Sequence, residues 1–277
     1  MEILAYLIIG FTAGAVGSMV GLGGAIIMTP ALTILLNVPI KSAIGASLIA
    51  LIATSVMSTA VYSKKELIHY RYGMLLLILM VSGSFIGSAI GVMMDARLLS
   101  LFFVALMIFA AAFLLYQVFQ NENPDARVEW QNDEEPHRFP PNGVLLEAHS
   151  GIRKFYRVQH GVVMMFISGI AGVISGMLGV GGGIIQVPFM HAINRMPIKA
   201  ATATSGFMIG YTGMAGALVY VIFGQFELIM TSALVLGILT GSQAGARLAI
   251  RLHARWIIYL VIVVLTVAAI RLFMKVF

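Results

Sequence analysis

Hydrophobic residues run through this chain in long unbroken stretches, covering about 3–36, 42–62, 72–94, 98–119, 161–193, 200–223, 228–250 and 256–277. Most approach the roughly 20 residues that carry an α-helix across about 30 Å of hydrocarbon. A transmembrane barrel would alternate apolar and polar positions over strands of about ten residues, so the pattern predicts spanning helices. Only 120–159 is polar, with Pro124, Pro136, Pro140, Pro141 and the acidic run Asp133-Glu134-Glu135; it joins an apolar half at 1–119 to another at 160–277. Its end, Arg153-Lys154-Phe155-Tyr156-Arg157, has the basic and aromatic content of a membrane-interface anchor. Val144-Leu145-Leu146 is read either as a short surface helix or as part of a disordered tether.

The two halves are copies. Gly14-Ala-Val-Gly-Ser-Met-Val-Gly-Leu-Gly-Gly-Ala-Ile-Ile-Met-Thr-Pro30 returns as Gly172-Val-Ile-Ser-Gly-Met-Leu-Gly-Val-Gly-Gly-Gly-Ile-Ile-Gln-Val-Pro188, an offset of 158 residues. The same offset relates Pro39-Ile40-Lys41 to Pro197-Ile198-Lys199, Ser47 to Ser205, Thr54 to Thr212, Tyr62 to Tyr220, Gly83 to Gly241 and Gly87 to Gly245. In a chain this apolar, duplicated segments interrupted by Gly and Pro point to a transporter's binding site.

Loop charges decide how the copies are oriented. If 3–36 crosses the membrane once, Lys and Arg divide ten against seven; if it and 161–193 each turn back as hairpins, they divide four against thirteen. The excess of basic residues on cytoplasmic loops prefers the second arrangement, and omitting the five linker charges still leaves four against eight. Length agrees, because a helix from Gly24 to Leu36 would be about 20 Å long, too short to cross. The predicted fold is an all-α polytopic membrane protein of two homologous inverted repeats. Each is a Gly-rich broken or re-entrant helix hairpin followed by three transmembrane helices.

Composition strengthens the membrane reading: 60% of residues are hydrophobic, 10% are charged and the mean hydropathy is +0.98, against about a quarter charged in soluble domains. The net charge of +6 and pI near 9.7 fit basic loops facing an anionic leaflet of the cell membrane, and nucleic acid is not expected as a partner. The chain has no cysteine, which excludes disulfides and thiolate chemistry. Met1-Glu2 leads into apolar sequence with no basic region or cleavage site, so the first segment is expected to be retained.

Candidate chemistry gathers at the glycines. A Gly-rich turn before a helix lets backbone N–H groups converge, and the first N–H groups of that helix lack intrahelical partners. With the macrodipole added, such a point favours an anion. Irregular backbone survives at bilayer depth only inside protein or beside a water-filled cavity. Gly21, Gly23, Gly24 and Gly179, Gly181, Gly182, Gly183 are therefore expected to line a site between helix N-termini near Ala25 and Ile184. Ser47 and Ser205 supply hydroxyls in the following helices, and Gln186, matched to Met28, supplies a lone amide beside the second cluster. Lys41 and Lys199 are weaker candidates for attracting anions, with interfacial snorkelling as the competing role. The small-xxx-small series Gly83-Gly87-Gly91 and Gly237-Gly241-Gly245 is read as helix packing. No Asp or Glu lies inside an apolar stretch, since Glu2, Glu66, Asp95 and Glu227 are all at ends. Coupling through a buried carboxylate is thus not expected. Neither a catalytic acid–base pair, a metal constellation nor a cofactor motif is present, so an enzyme is not expected.

The paired Gly-rich motifs, each followed by Pro-Ile-Lys-x-Ala and a Ser-bearing helix, resemble the TauE/SafE family of membrane permeases, also called sulfite exporters. The resemblance covers nearly all of both halves and spares the linker. It implies a cytoplasmic-membrane transporter of sulfite or small organosulfur anions, with a homodimer as a candidate assembly. An anion channel, and a membrane-embedded sensor or scaffold acting through 120–159, are the alternatives.

Overall fold

A computed structural model describes residues 2–20, 23–119, 128, 130–131, 143–146, 153–251 and 255–276. Its helices are α1 (Glu2–Val20), α2 (Ala25–Leu35), α3 (Ile40–Ser63), α4 (Tyr70–Met93), α5 (Ala96–Phe119), α6 (Gly161–Leu178), α7 (Gly183–Ala192), α8 (Ile198–Ile222), α9 (Leu228–Arg251) and α10 (Arg255–Val276). Among the described residues, seven helices are long and apolar enough to cross a membrane: α1, α3, α4, α5, α6, α8 and α9. The two Gly-rich stretches break at their glycines as expected, and their first arms, α1 and α6, are among the seven. Segment 3–36 breaks into α1 and the 11-residue α2, and 161–193 breaks into α6 and the 10-residue α7. Glycine makes both breaks, with φ of +80° and +74° at Gly23 and Gly24 and +79° and +72° at Gly181 and Gly182. Prolines then restart the chain as N-caps of α3 and α8, at Pro39 and Pro197.

Helix packing is interleaved between the halves. On α1, Gly10 and Gly14 meet Leu234 and Ile238 of α9, and Gly245 meets Ala15 and Ser18, so α1 and α9 run parallel. Their counterparts α6 and α4 do the same: Gly83 meets Gly169 and Val173, and Gly91 meets Met177. These are the small-xxx-small series, and they pack backbone on backbone as expected. Between the two pairs, α3 and α8 cross in opposite directions. Ser55 donates to the Gly206 carbonyl at 2.8 Å, while Gly213 and Gly216 lie against Leu48.

Polarity is turned inside out relative to a soluble bundle. Ser47, Ser84, Ser88, Ser168, Ser242 and Thr204 are buried, whereas Ile78, Ile86, Ile170 and Leu218 are exposed along the outside. That outer apolar belt is what a bilayer covers.

The linker carries a small antiparallel sheet of order β1-β3-β2, with β1 at Trp130–Gln131, β2 at Gly143–Leu146 and β3 at Arg153–Tyr156. Val144-Leu145-Leu146 is thus a strand, paired with Arg153–Phe155, and not a surface helix. Four residues cannot repay helix nucleation, while a partner strand satisfies their backbone at once. The anchor segment folds inward at Tyr156, which is buried against the His69 ring with centroids 6.1 Å apart. Burial pushes the Tyr156 phenol pKa up. Asn194 donates to the Tyr72 hydroxyl at 2.6 Å and to the Gln159 carbonyl, tying the linker's end to the turn before α8.

Candidate functional site

Four of the predicted glycines build two similar helix N-termini. Gly24 and Gly182 are the N-caps of α2 and α7, both left-handed and both without a side chain to cap the helix. Ile27 and Met28 bond to the Gly24 carbonyl, and Ile185 and Gln186 bond to that of Gly182. The N–H groups of Ala25 and Ile26, and of Gly183 and Ile184, precede the first intrahelical bonds and keep the partial positive charge of each terminus. Gly21 lies outside the described residues. Gly179 plays a different part, ending α6 at φ +70° and donating to the Ser175 carbonyl at 2.7 Å.

These two glycine turns approach the same two side chains. A β-carbon on Gly23 would stand 2.6 Å from Leu51 Cδ2 and 3.1 Å from Ile209 Cδ1. One on Gly181 would collide with Ile209 Cγ2 and stand 3.1 Å from Leu51 Cδ1. Leu51 and Ile209 are themselves related by the 158-residue offset and lie near the middle of α3 and α8. Both are fully buried, so the glycine turns close on one shared apolar pair. No sequence signal marks that pair, since a leucine and an isoleucine in apolar helices are unremarkable.

Hydroxyl groups pin the hairpins from several sides. Ser47 donates to the Ile44 carbonyl at 2.8 Å and to the Gly179 carbonyl at 3.1 Å, across to the other half. Its counterpart Ser205 is buried, with no partner for Oγ among the described residues. Tyr62 donates to the Ser18 carbonyl at 2.8 Å and Tyr220 to the Met177 carbonyl at 3.0 Å, each capping the loosened end of a first arm. The constant offset singles out these tyrosines, and their role appears only with the fold. Thr54 and Thr212 bond back to their own helices and contribute nothing to the turns.

Gln186 is fully buried on α7, with Nε2 2.9 Å from Ser168 Oγ and 3.1 Å from Met80 Sδ. The lysines are not drawn into this centre. Lys41 donates to the Val92 carbonyl at 2.8 Å at the end of α4, and Lys199 is exposed in the first turn of α8. Among the described residues, no group of three or more His, Cys, Asp or Glu is placed to hold a metal ion. What the centre offers is a set of neutral donors: two uncapped helix N-termini and the Ser205 hydroxyl, the other hydroxyls named here and the Gln186 Nε2 being already bonded. Such donors suit an anion that must shed water.

Residues 6–272 match the family model described as "Sulfite exporter TauE/SafE". The "Probable membrane transporter protein YunE" of Bacillus subtilis is 30% identical, over 96% of this chain and 95% of its own length. A "Probable membrane transporter protein" of Xylella fastidiosa is 25% identical over 89% of this chain and 83% of its own. The "Probable membrane transporter protein MJ0441" of Methanocaldococcus jannaschii is 26% identical over 77% and 70%. No solved structure matches significantly.

Proposed function

The chain belongs to the TauE/SafE sulfite exporter family of multi-pass membrane transporters, and from that premise we propose that it carries a small sulfur oxyanion, such as sulfite or an organosulfonate, across the cell membrane. The anion binds near mid-depth between the two glycine-built helix N-termini, and access alternates between the two faces. The convergence of Gly23 and Gly181 on the single Leu51–Ile209 pair carries this reading. Two positive helix termini are brought to one buried place that holds no carboxylate among the described residues, and an oxyanion supplies the acceptor that their N–H groups lack.

The repeats insert in opposite senses, with the linker inside the cell and both termini outside. The antiparallel crossing of the equivalent helices α3 and α8 supports this. So does Lys275 near the end of α10, which donates to Thr33 and Asn37 at the end of α2. In this conformation Leu51 and Ile209 fill the space between the glycine turns, so the anion displaces them as it enters.

Flux of sulfite, sulfoacetate and thiosulfate into proteoliposomes tests the proposal. At least one of these is expected to accumulate well above empty vesicles, and Gly181→Leu is expected to abolish that flux. If none of the three moves, the assignment is wrong.

A further inference from the structure

The two hairpins share a backbone design and differ in chemistry and width. At the 158-residue offset, Ser168, Ser175 and Gln186 of the second hairpin replace Gly10, Gly17 and Met28 of the first. Ser168, Ala171 and Ser175 recur at helical spacing on the face of α6 that meets α7. A β-carbon on Gly182 would stand 2.5 Å from Met80 Cε, 3.3 Å from the Ala171 oxygen and 3.4 Å from Ser175 Cβ. In the first hairpin a β-carbon on Gly24 would collide with the equivalent Ala13 oxygen, and one on Gly17 would collide with the Gly24 backbone. The first hairpin is therefore closed backbone on backbone, while the second is wider and has the end of the Met80 side chain in the gap.

Two polar atoms in that wider hairpin lack partners. Gln186 Oε1 and Ser175 Oγ are buried in fully buried residues and bond to nothing among the described residues. Burying them unpaired is costly. The assignment of the two ends of an amide follows from its surroundings. As placed, Nε2 meets both Ser168 Oγ and Met80 Sδ; turned over, Oε1 accepts from the Ser168 hydroxyl, the contact with the weak thioether acceptor is given up, and Nε2 takes the orphaned position as a donor. Ser175 O–H and Gln186 N–H are then unpaired donors in the same hairpin as the N–H groups of Gly183 and Ile184, and an anion accepting from them displaces the Met80 side chain, which lies against both Gly182 and Gln186.

We propose that the transported oxyanion is held asymmetrically, by Ser175 and Gln186 at the α7 N-terminus of the second hairpin, with the first hairpin contributing chiefly an apolar wall. This rests on the sulfur-oxyanion reading and specifies which side chains select the substrate. Gln186→Met and Ser175→Ala are the direct variants. The first hairpin shows that this fold accepts a methionine at the position of Gln186, through Met28.

Binding of sulfite and sulfoacetate to purified protein is measured by calorimetry, with flux KM alongside. Both variants are expected to weaken binding at least tenfold, whereas Met28→Leu leaves it within twofold. Gln186→Glu adds a readout that a purely structural role would not move: a protonated acid donates and an ionised one repels, so its anion affinity falls as pH rises. If Gln186→Met and Ser175→Ala both bind within twofold of wild type, the asymmetric site is refuted and the transport assignment stands. A wild type that binds neither anion overturns both. Stabilisation by sodium without either anion, lost in Gln186→Met, would show a cation site instead and also refute the proposal.

Discussion

At the scale of single residues, space and backbone conformation separate two kinds of glycine. Gly181 has φ +79° and no room, because Ile209 stands where its β-carbon would go. Gly224 has φ +69° and nothing within 4 Å. A left-handed L-residue costs about 1–2 kcal/mol, so Gly224→Ala is expected to lower stability by about that much and leave flux unchanged. Gly181→Ala adds a collision at the proposed binding centre and is expected to cut flux more than tenfold, with partial recovery in the double variant Gly181→Ala, Ile209→Ala. Equal flux losses at Gly181 and Gly224 would mean that strain alone, and not the contact with Ile209, is what matters. The glycine clusters were legible in the sequence because they break helices without adding a packing face. Ser175 was not, since a serine in an apolar helix ordinarily bonds back to its own turn, and only the fold reveals that this one does not.

At the scale of elements, the helices were legible almost to their ends. The stretch 42–62 became α3 at Ile40–Ser63, and 98–119 became α5 at Ala96–Phe119. Continuous apolarity sets those bounds, and prolines or charges close them. The partners of each helix were not legible, because a small-xxx-small stripe announces close contact without naming the neighbour. The strand β2 escapes sequence reasoning for a related reason: its stability comes from β3, distant in sequence. Close packing also grades the cost of substitution along α4 and α6. A β-carbon on Gly87 would collide with the Val173 backbone, whereas one on Gly169 would stand 3.6 Å from Leu79 Cβ. Gly87→Leu forces the two helices apart, and over-packing of this kind typically costs about 1–3 kcal/mol. It is expected to lower the thermal midpoint in detergent by several degrees, while Gly169→Ala leaves it nearly unchanged. Similar midpoints for the two variants would contradict the α4–α6 contact.

At the scale of the whole molecule, interleaving determines what can move. Each hairpin's first arm is zippered to the other half, α1 to α9 and α6 to α4, so the sequence repeats cannot rock as separate bodies. The proposed alternating access would then move the two zippered pairs against each other, with the boundary along the α3–α8 crossing that holds Leu51 and Ile209. A chain without cysteine makes this testable by cross-linking. On α3 and α8, a β-carbon on Gly206 would stand 3.4 Å from Ser58 Oγ, so cysteines at the two positions bring a sulfur of one within reach of the other. In the double variant Ser58→Cys, Gly206→Cys, oxidation is expected to stop flux and a reductant to restore it, whereas Ser58→Cys alone should respond to neither. Full flux through the oxidised, cross-linked protein would show that α3 and α8 do not separate, and would leave a fixed anion pore as the better account. Failure to cross-link at all would deny the antiparallel α3–α8 contact, on which the opposite insertion of the two repeats depends.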